Sequence, residues 1–190
     1  PEAISDLPPG CEILDWAYFP SNKFEKCGEF ISRGLPTAVC PSVRGFGRVF
    51  NAVEEARVVL AKYARTGKEL GARGLMNTDW GDYGHFNVPP AALHGLALGA
   101  QLAWNPANDA DADFDRAFSK VIFGADDARP AELFALAGSA PDAVAAWPFA
   151  PLKNVPPPAD PAPLREIAAQ APAWADGFTK LRATEWADET

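Results

Sequence analysis

The chain is short of positive charge. Of 190 residues, 17 are Lys or Arg against 25 Asp or Glu, for a formal charge of -8 and a sequence pI near 4.7. A nucleic-acid surface needs a basic stripe that displaces counterions, and a polybasic membrane contact needs the same sign of charge. Neither partner is expected. Cysteine is scarce: Cys11, Cys27 and Cys40 are odd in number and never fall at C-x-x-C spacing. A disulfide framework and a cysteine-built zinc site are therefore not expected. No apolar run is long enough for a membrane span, because the longest, Ala91 to Trp104, is broken by His94 and Gln101. A Gly-rich phosphate loop is missing too. Arg44-Gly45-Phe46-Gly47-Arg48 has two glycines and lacks the third. No G-x-S-x-G elbow supports a serine triad. The chain opens at Pro1 with no Met and no signal-like apolar segment, and we expect a piece of a longer chain.

What is present divides at about residue 105. In residues 1–105 short β-type runs alternate with helical ones. Cys11 to Tyr18 reads as a strand after the turn signal Pro8-Pro9-Gly10. Phe24 to Arg33 has apolar residues at helical spacing and stops at Gly34. Pro36 to Cys40 is a second strand. Asn51 to Leu70 is an amphipathic helix with Val53, Ala56, Leu60 and Ala64 on one face and Glu54, Glu55, Arg57 and Lys68 mostly outside it. Ala72 to Asn77 is a third strand, and Ala91 to Trp104 is a helix apolar on nearly all sides, hence expected to be buried. This order predicts an α/β fold with a parallel sheet. Without a phosphate loop, the reading is the C-terminal part of a (β/α)8 TIM barrel, about three of its eight units. Residues 106–190 read as an α-helical, Ala/Pro-rich extension. It has short helices at Phe114–Phe123 and Ala131–Leu136, an extended stretch from Trp147 to Pro163, and a last helix from Leu164 to Trp186 interrupted near Pro172.

The residues suited to chemistry gather where strands end. Asn77-Thr78-Asp79-Trp80-Gly81-Asp82-Tyr83-Gly84-His85-Phe86-Asn87 puts carboxylates, amides, an imidazole and aromatic rings between a strand and a helix, the active-face position of a barrel. Aromatic faces stack on the apolar face of a pyranose, and carboxylates and amides bond its hydroxyls. The alternative is a structured turn with Asp and Asn caps and Trp80 packed beneath. The first strand ends Asp15-Trp16-Ala17-Tyr18, and alternation puts Asp15 on one face and Trp16 and Tyr18 on the other. Trp16 is either a second sugar wall or a packing residue. Arg44 or Arg48 either holds a neighbouring carboxylate ionised or belongs to an ordinary surface loop. Asp79, Asp82 and His85 fall three apart, but on a loop this spacing is not diagnostic, and no metal site is assigned.

The run from Asn77 to Phe86, with Ile13-Leu14-Asp15-Trp16-Ala17-Tyr18, Gly71 to Asp82 and Gly95 to Asn105, resembles a bacterial branch of the family 20 glycoside hydrolases, the β-N-acetylhexosaminidases. The resemblance implies that the three strands are the sixth, seventh and eighth of a (β/α)8 barrel. Trp80-Gly81-Asp82 looks like the family's Trp-x-Glu with Asp for Glu. By that likeness Trp80 packs on the sugar, Asp82 accepts from its outer hydroxyls, and Trp16 is the sixth-strand aromatic. Asp15, Tyr18, Asp79 and His85 complete the substrate-binding set. The family's catalytic Asp-Glu pair lies on the fourth strand, so this segment carries no catalytic residue. Val39-Cys40-Pro41-Ser42 stands where the family often has Tyr-x-Asp. The implied partners are a β-linked carbohydrate and the remainder of the barrel, with no cofactor. The rival readings are a non-catalytic carbohydrate-binding barrel and a metal-dependent barrel hydrolase.

Overall fold

The computed structural model describes residues 4, 6–82, 87–108, 112–140, 160 and 162–182. Three strands form one parallel sheet in the order β1 (Ile13–Trp16), β2 (Thr37–Cys40), β3 (Gly74–Leu75). The register sets Asp15 opposite Val39 and Trp16 opposite Cys40 on one side, and Val39 opposite Leu75 on the other. Helix α1 (Glu25–Ser32) joins β1 to β2, and α2 (Val53–Leu70) joins β2 to β3. Spatial order follows chain order. Cys27 of α1 and Val59 and Tyr63 of α2 pack in one cluster with Val39, so both crossovers lie on the same face of the sheet. A doubly wound sheet puts helices on both faces. This sheet is mixed α/β and wound in one direction.

The strands are shorter than their apolar runs. β3 keeps only two residues of ladder, yet pairing continues beyond it. Met76 N–H donates to Val39 O at 2.9 Å and Val43 N–H to Thr78 O at 2.9 Å, and Ser42 bridges Thr78 in parallel. α2 ends at Gly71, which takes left-handed φ 83° and returns its N–H to the last turn.

α2 has two apolar stripes. Val59 and Tyr63 face the sheet, while Ala56, Leu60 and Ala64 face α3 (Pro89–Trp104), α4 (Ala112–Phe123) and α5 (Arg129–Ala137). There they meet Leu98, Leu102, Phe114, Phe118 and Phe134. α4 and α5 thus share a core with α2 and α3. Burying each large side chain stabilises by about 1.5–3 kcal/mol.

Three expectations are corrected. α3 is not buried all round: Leu98 and Leu102 are inside, but Leu93 and Leu96 are exposed and Trp104 is 92% exposed. Arg57 does not point away from the core of α2. Its guanidinium holds both carboxylate oxygens of Asp115, at 2.6 and 2.7 Å. The last helix, α6 (Ala162–Arg182), runs unbroken through Pro172. The stretch from Trp147 to Pro163 lies almost wholly outside the described residues, as do the positions beyond 182.

Candidate functional site

Strand parity decides which side chains can meet. On β3 the odd positions, Leu75, Asn77 and Asp79, face the helices. Leu75 joins both helix-side clusters, and the Asn77 amide donates to Gly95 O of α3 at 2.9 Å. Even positions face the other side, which no described helix covers. There Leu14 is 40% exposed, Trp16 53% and Met76 45%. Trp16 and Trp80 meet on this open face at the C-terminal end of the strands. Their ring centroids are 5.2 Å apart and their planes inclined by 67°, the edge-to-face arrangement that aromatic quadrupoles favour.

The Trp80 ring is fixed from below. Its Nε1–H donates to Thr78 Oγ1 at 3.2 Å, and that hydroxyl donates to Pro41 O at 2.8 Å. Tyr18, two residues beyond Trp16, packs on Phe46 at 5.6 Å. Its hydroxyl lies beside Thr78 and Trp80 without a hydrogen bond of good geometry to either. Burial raises the Tyr18 pKa above its ordinary value, Thr78 and Trp80 offset part of this, and the charges of Cys40 and Asp82 add to it. Asp82 is therefore a neighbour of Tyr18, and it is exposed.

Trp16, Tyr18, Trp80 and Asp82 thus assemble at one end of the sheet. Two expected partners do not join them. Asp15 shares the face of Val39 and points to the helix side, between α1 and the strands. Burial raises its pKa, with Lys26 opposing. The thiols of Cys27 and Cys40 are pushed up to about 11 by burial first and by the Asp15 charge second, so both stay protonated at neutral pH. Asp79 also takes the helix side, where its Oδ1 approaches Gly45. His85 lies outside the described residues. The backbone at Asp82 is helical rather than extended, so the alternation that would align it with Trp80 does not apply, and its place comes from the turn instead.

The loop between β2 and α2 is not a surface loop. Residues 41–45 are all buried. Arg44, 1% exposed, pairs with Glu55 at 2.8 Å and lies over the rings of Phe19 and Phe46 at 4.9 and 4.5 Å. Arg48 donates to Phe50 O and Gly138 O, tying this loop to the end of α5. Arg44 thus sits under the rings of Phe19 and Phe46, the latter packed on Tyr18.

Several residues that matter here escaped the pattern reading. His94 is fully buried, its Nε2 at 2.8 Å from Asp115 Oδ1. Gly95 and Gly99 of α3 make room for Val43 and Asn77. The Gly-x-x-x-Gly spacing was the available signal for close approach. Among the described residues no three His, Cys, Asp or Glu side chains converge on a metal position, and no helix is long and apolar enough to cross a membrane. No family model, curated protein or solved structure matches the chain.

Proposed function

We propose that this chain is the C-terminal arc of a (β/α)8 glycosidase acting on β-linked sugars, with N-acetylhexosamine as the substrate sugar. The observation that carries the reading is the meeting of Trp16, at the end of the first strand, and Trp80, in the segment after the third, on the open face at the strands' C-terminal end. An indole half exposed in water gives up much of its transfer free energy, and a pyranose face returns it. Asp82 stands beside that wall, exposed, as an acceptor for ring hydroxyls. Consecutive strand order with both crossovers on one face supports the barrel, since a barrel arc has its helices outside and its other face toward the axis.

In the mechanism that the family resemblance implies, the acetamido oxygen of the sugar attacks the anomeric carbon, the glycosidic C–O bond breaks, and an acid elsewhere in the barrel protonates the leaving oxygen. This segment contributes position: binding energy of the wall and of Asp82 holds the ring while the remote pair acts.

The test uses the protein that contains this segment together with the rest of the barrel, assayed on aryl β-N-acetylhexosaminides and aryl β-glucosides. Trp80→Ala and Trp16→Ala should each lower kcat/KM at least about 10-fold. Asp82→Asn should cost about 1–3 kcal/mol at the transition state. Unchanged kcat/KM in all three variants on every cleaved substrate overturns the reading. Saccharide binding without any cleavage favours the non-catalytic rival.

A further inference from the structure

We propose that the outer face of α3 is a dimer seam, on which a second copy of this chain packs its own α3 antiparallel around a two-fold axis. α3 carries apolar stripes on opposite sides. Ala91, Gly95, Leu98 and Leu102 form the buried one, which meets the sheet through Gly95 against Val43 and Gly99 against Asn77. The other side presents Leu93, Leu96, Ala100 and Ala103, all exposed, with Trp104 beside them at 92% exposure. The steps between those four positions are three, four and three residues, the spacing of a seam that another helix fills. This stripe points away from the sheet and from the Trp16–Trp80 wall, so the inference does not rest on the saccharide reading.

Charge separates this face from its neighbours. The outward side of a surface helix is ordinarily polar or charged. The exposed positions of α2 include Glu54, Arg65, Lys68 and Glu69, and those of α4 include Asp113, Arg116 and Lys120. α3 has no Asp, Glu, Lys or Arg from Pro89 to Trp104, in a chain of formal charge -8. Two copies of so acidic a chain repel each other, and a stripe without charge lets them meet with no like charges opposed across the contact.

The order of side chains along the stripe names the occupant. A two-fold interface has to be complementary to itself. Here the large residues, Leu93 and Leu96, fill the first half and the small ones, Ala100 and Ala103, the second. With the axis level with Leu98, antiparallel pairing sets Leu93 of one copy opposite Ala103 of the other, and Leu96 opposite Ala100. Every leucine then meets an alanine, which packs to even density. A parallel pair sets leucine on leucine and alanine on alanine and leaves the small half unfilled. The antiparallel pair also brings each Trp104 toward Pro89 and Pro90 of the other copy, both exposed. Sixteen residues of helix are about 24 Å long and offer on the order of 300 Å² per copy, against roughly 800 Å² in a standard stable interface. The dimer is therefore weak and forms as concentration rises.

The experiment uses the 190-residue chain carrying Leu14→Lys and Met76→Lys, which block association through the open face of the sheet. Sedimentation equilibrium is run up to about 1 mM, where a dissociation constant of about 0.1–1 mM is still read. The expected result is a reversible monomer–dimer equilibrium. Leu96→Glu and Ala103→Glu each place an unpaired charge in the seam and should weaken dimerisation at least about 10-fold. Both positions are exposed in the single chain, so its helical circular dichroism should be kept, and Ala103→Glu carries the test if Leu96→Glu fails to fold. Orientation is read by cross-linking under copper–phenanthroline in a Cys11→Ser background. A chain with Leu93→Cys and one with Ala103→Cys should link to each other far more than either links to itself, because in an antiparallel pair the two copies of position 93 lie about 15 Å apart, beyond disulfide reach. A chain that stays monomeric throughout, a dimer unchanged by both glutamate variants, or self-linking of Leu93→Cys as strong as the mixed reaction overturns the proposal.

Discussion

At the scale of single residues, the half-buried polar contact with the clearest consequence is Asp115. Its two oxygens take the Arg57 guanidinium, and one also faces His94 Nε2. The rings of Phe114 and Phe118 pack edge-on against the imidazole at 5.2 and 5.0 Å. Burial works to raise the Asp115 pKa, but the hydrogen bonds from His94 and Arg57 and the positive charge of Arg57 outweigh it, and the net direction is down. The unfolded chain therefore binds the proton first as pH falls. The contribution of Asp115 to stability is complete above roughly pH 4–5 and is lost as pH falls through the depressed folded value. Asp115→Asn removes the bidentate carboxylate and leaves Arg57 with the exposed Glu54, 3.1 Å away, as its acidic partner, and should cost about 1–3 kcal/mol at pH 7. Urea unfolding at pH 7 and at pH 3 checks both statements: the gap between wild type and variant should shrink at the lower pH. A gap that stays constant with pH would show that the loss is one of packing and not of charge.

At the scale of elements, most of the fold was readable because most elements bury one stripe. The spacing of Val53, Ala56, Leu60 and Ala64 marked α2, and all four are buried. Strand existence was readable from short apolar runs bounded by Gly and Pro; strand ends were not, since the ladder of an edge strand depends on what pairs beside it. α3 misled for a definable reason. Its composition is apolar on nearly all sides, and composition does not say which neighbours are present to cover it. The aromatic part of the site was legible in strand parity, which put Trp16 and Tyr18 together. The same parity sends Asp79 away from Trp80, a consequence hidden by reading residues 77–87 as one cluster. The Asp115 contact was invisible, because nothing in local pattern relates positions 57, 94 and 115.

α3 also offers the sharpest packing test. A carbon added at Gly99 would stand at the Asn77 amide, and one at Gly95 would lie 2.8 Å from the Val43 side chain. Gly99→Ala must push Asn77 off its bond to Gly95 O. Alanine favours the helix itself by about 1 kcal/mol over glycine, so propensity alone predicts a gain. Overpacking costs typically about 1–3 kcal/mol, and a buried amide left without its partner adds about 1–3 more. The steric and polar terms win, and the variant should be destabilised by roughly 1–5 kcal/mol in urea unfolding. A rise in stability would mean that the β3–α3 contact is looser than described.

For the molecule as a whole, the governing fact is a parallel sheet whose cover, among the described residues, is a set of helices on one face. Sheets of this kind occur almost only with both faces covered, since their strands are apolar on both sides. Here Leu14, Trp16 and Met76 stand on the uncovered side, each at least 40% exposed. An uncovered apolar face favours association, and so do unpaired strand edges. The 190-residue chain should therefore self-associate with rising concentration, seen as a growing weight-average mass by light scattering after size exclusion. Leu14→Lys combined with Met76→Lys puts two charges on that face. Both side chains are already substantially exposed, so the cost to folding should stay within about 0.5 kcal/mol per site. The double variant should move toward monomer while keeping the helical circular dichroism of the wild type. A wild-type chain that stays monomeric at all concentrations, binds no apolar dye and unfolds cooperatively would contradict this account, because the open face would then need no partner and the proposed barrel reading would lose its main physical support.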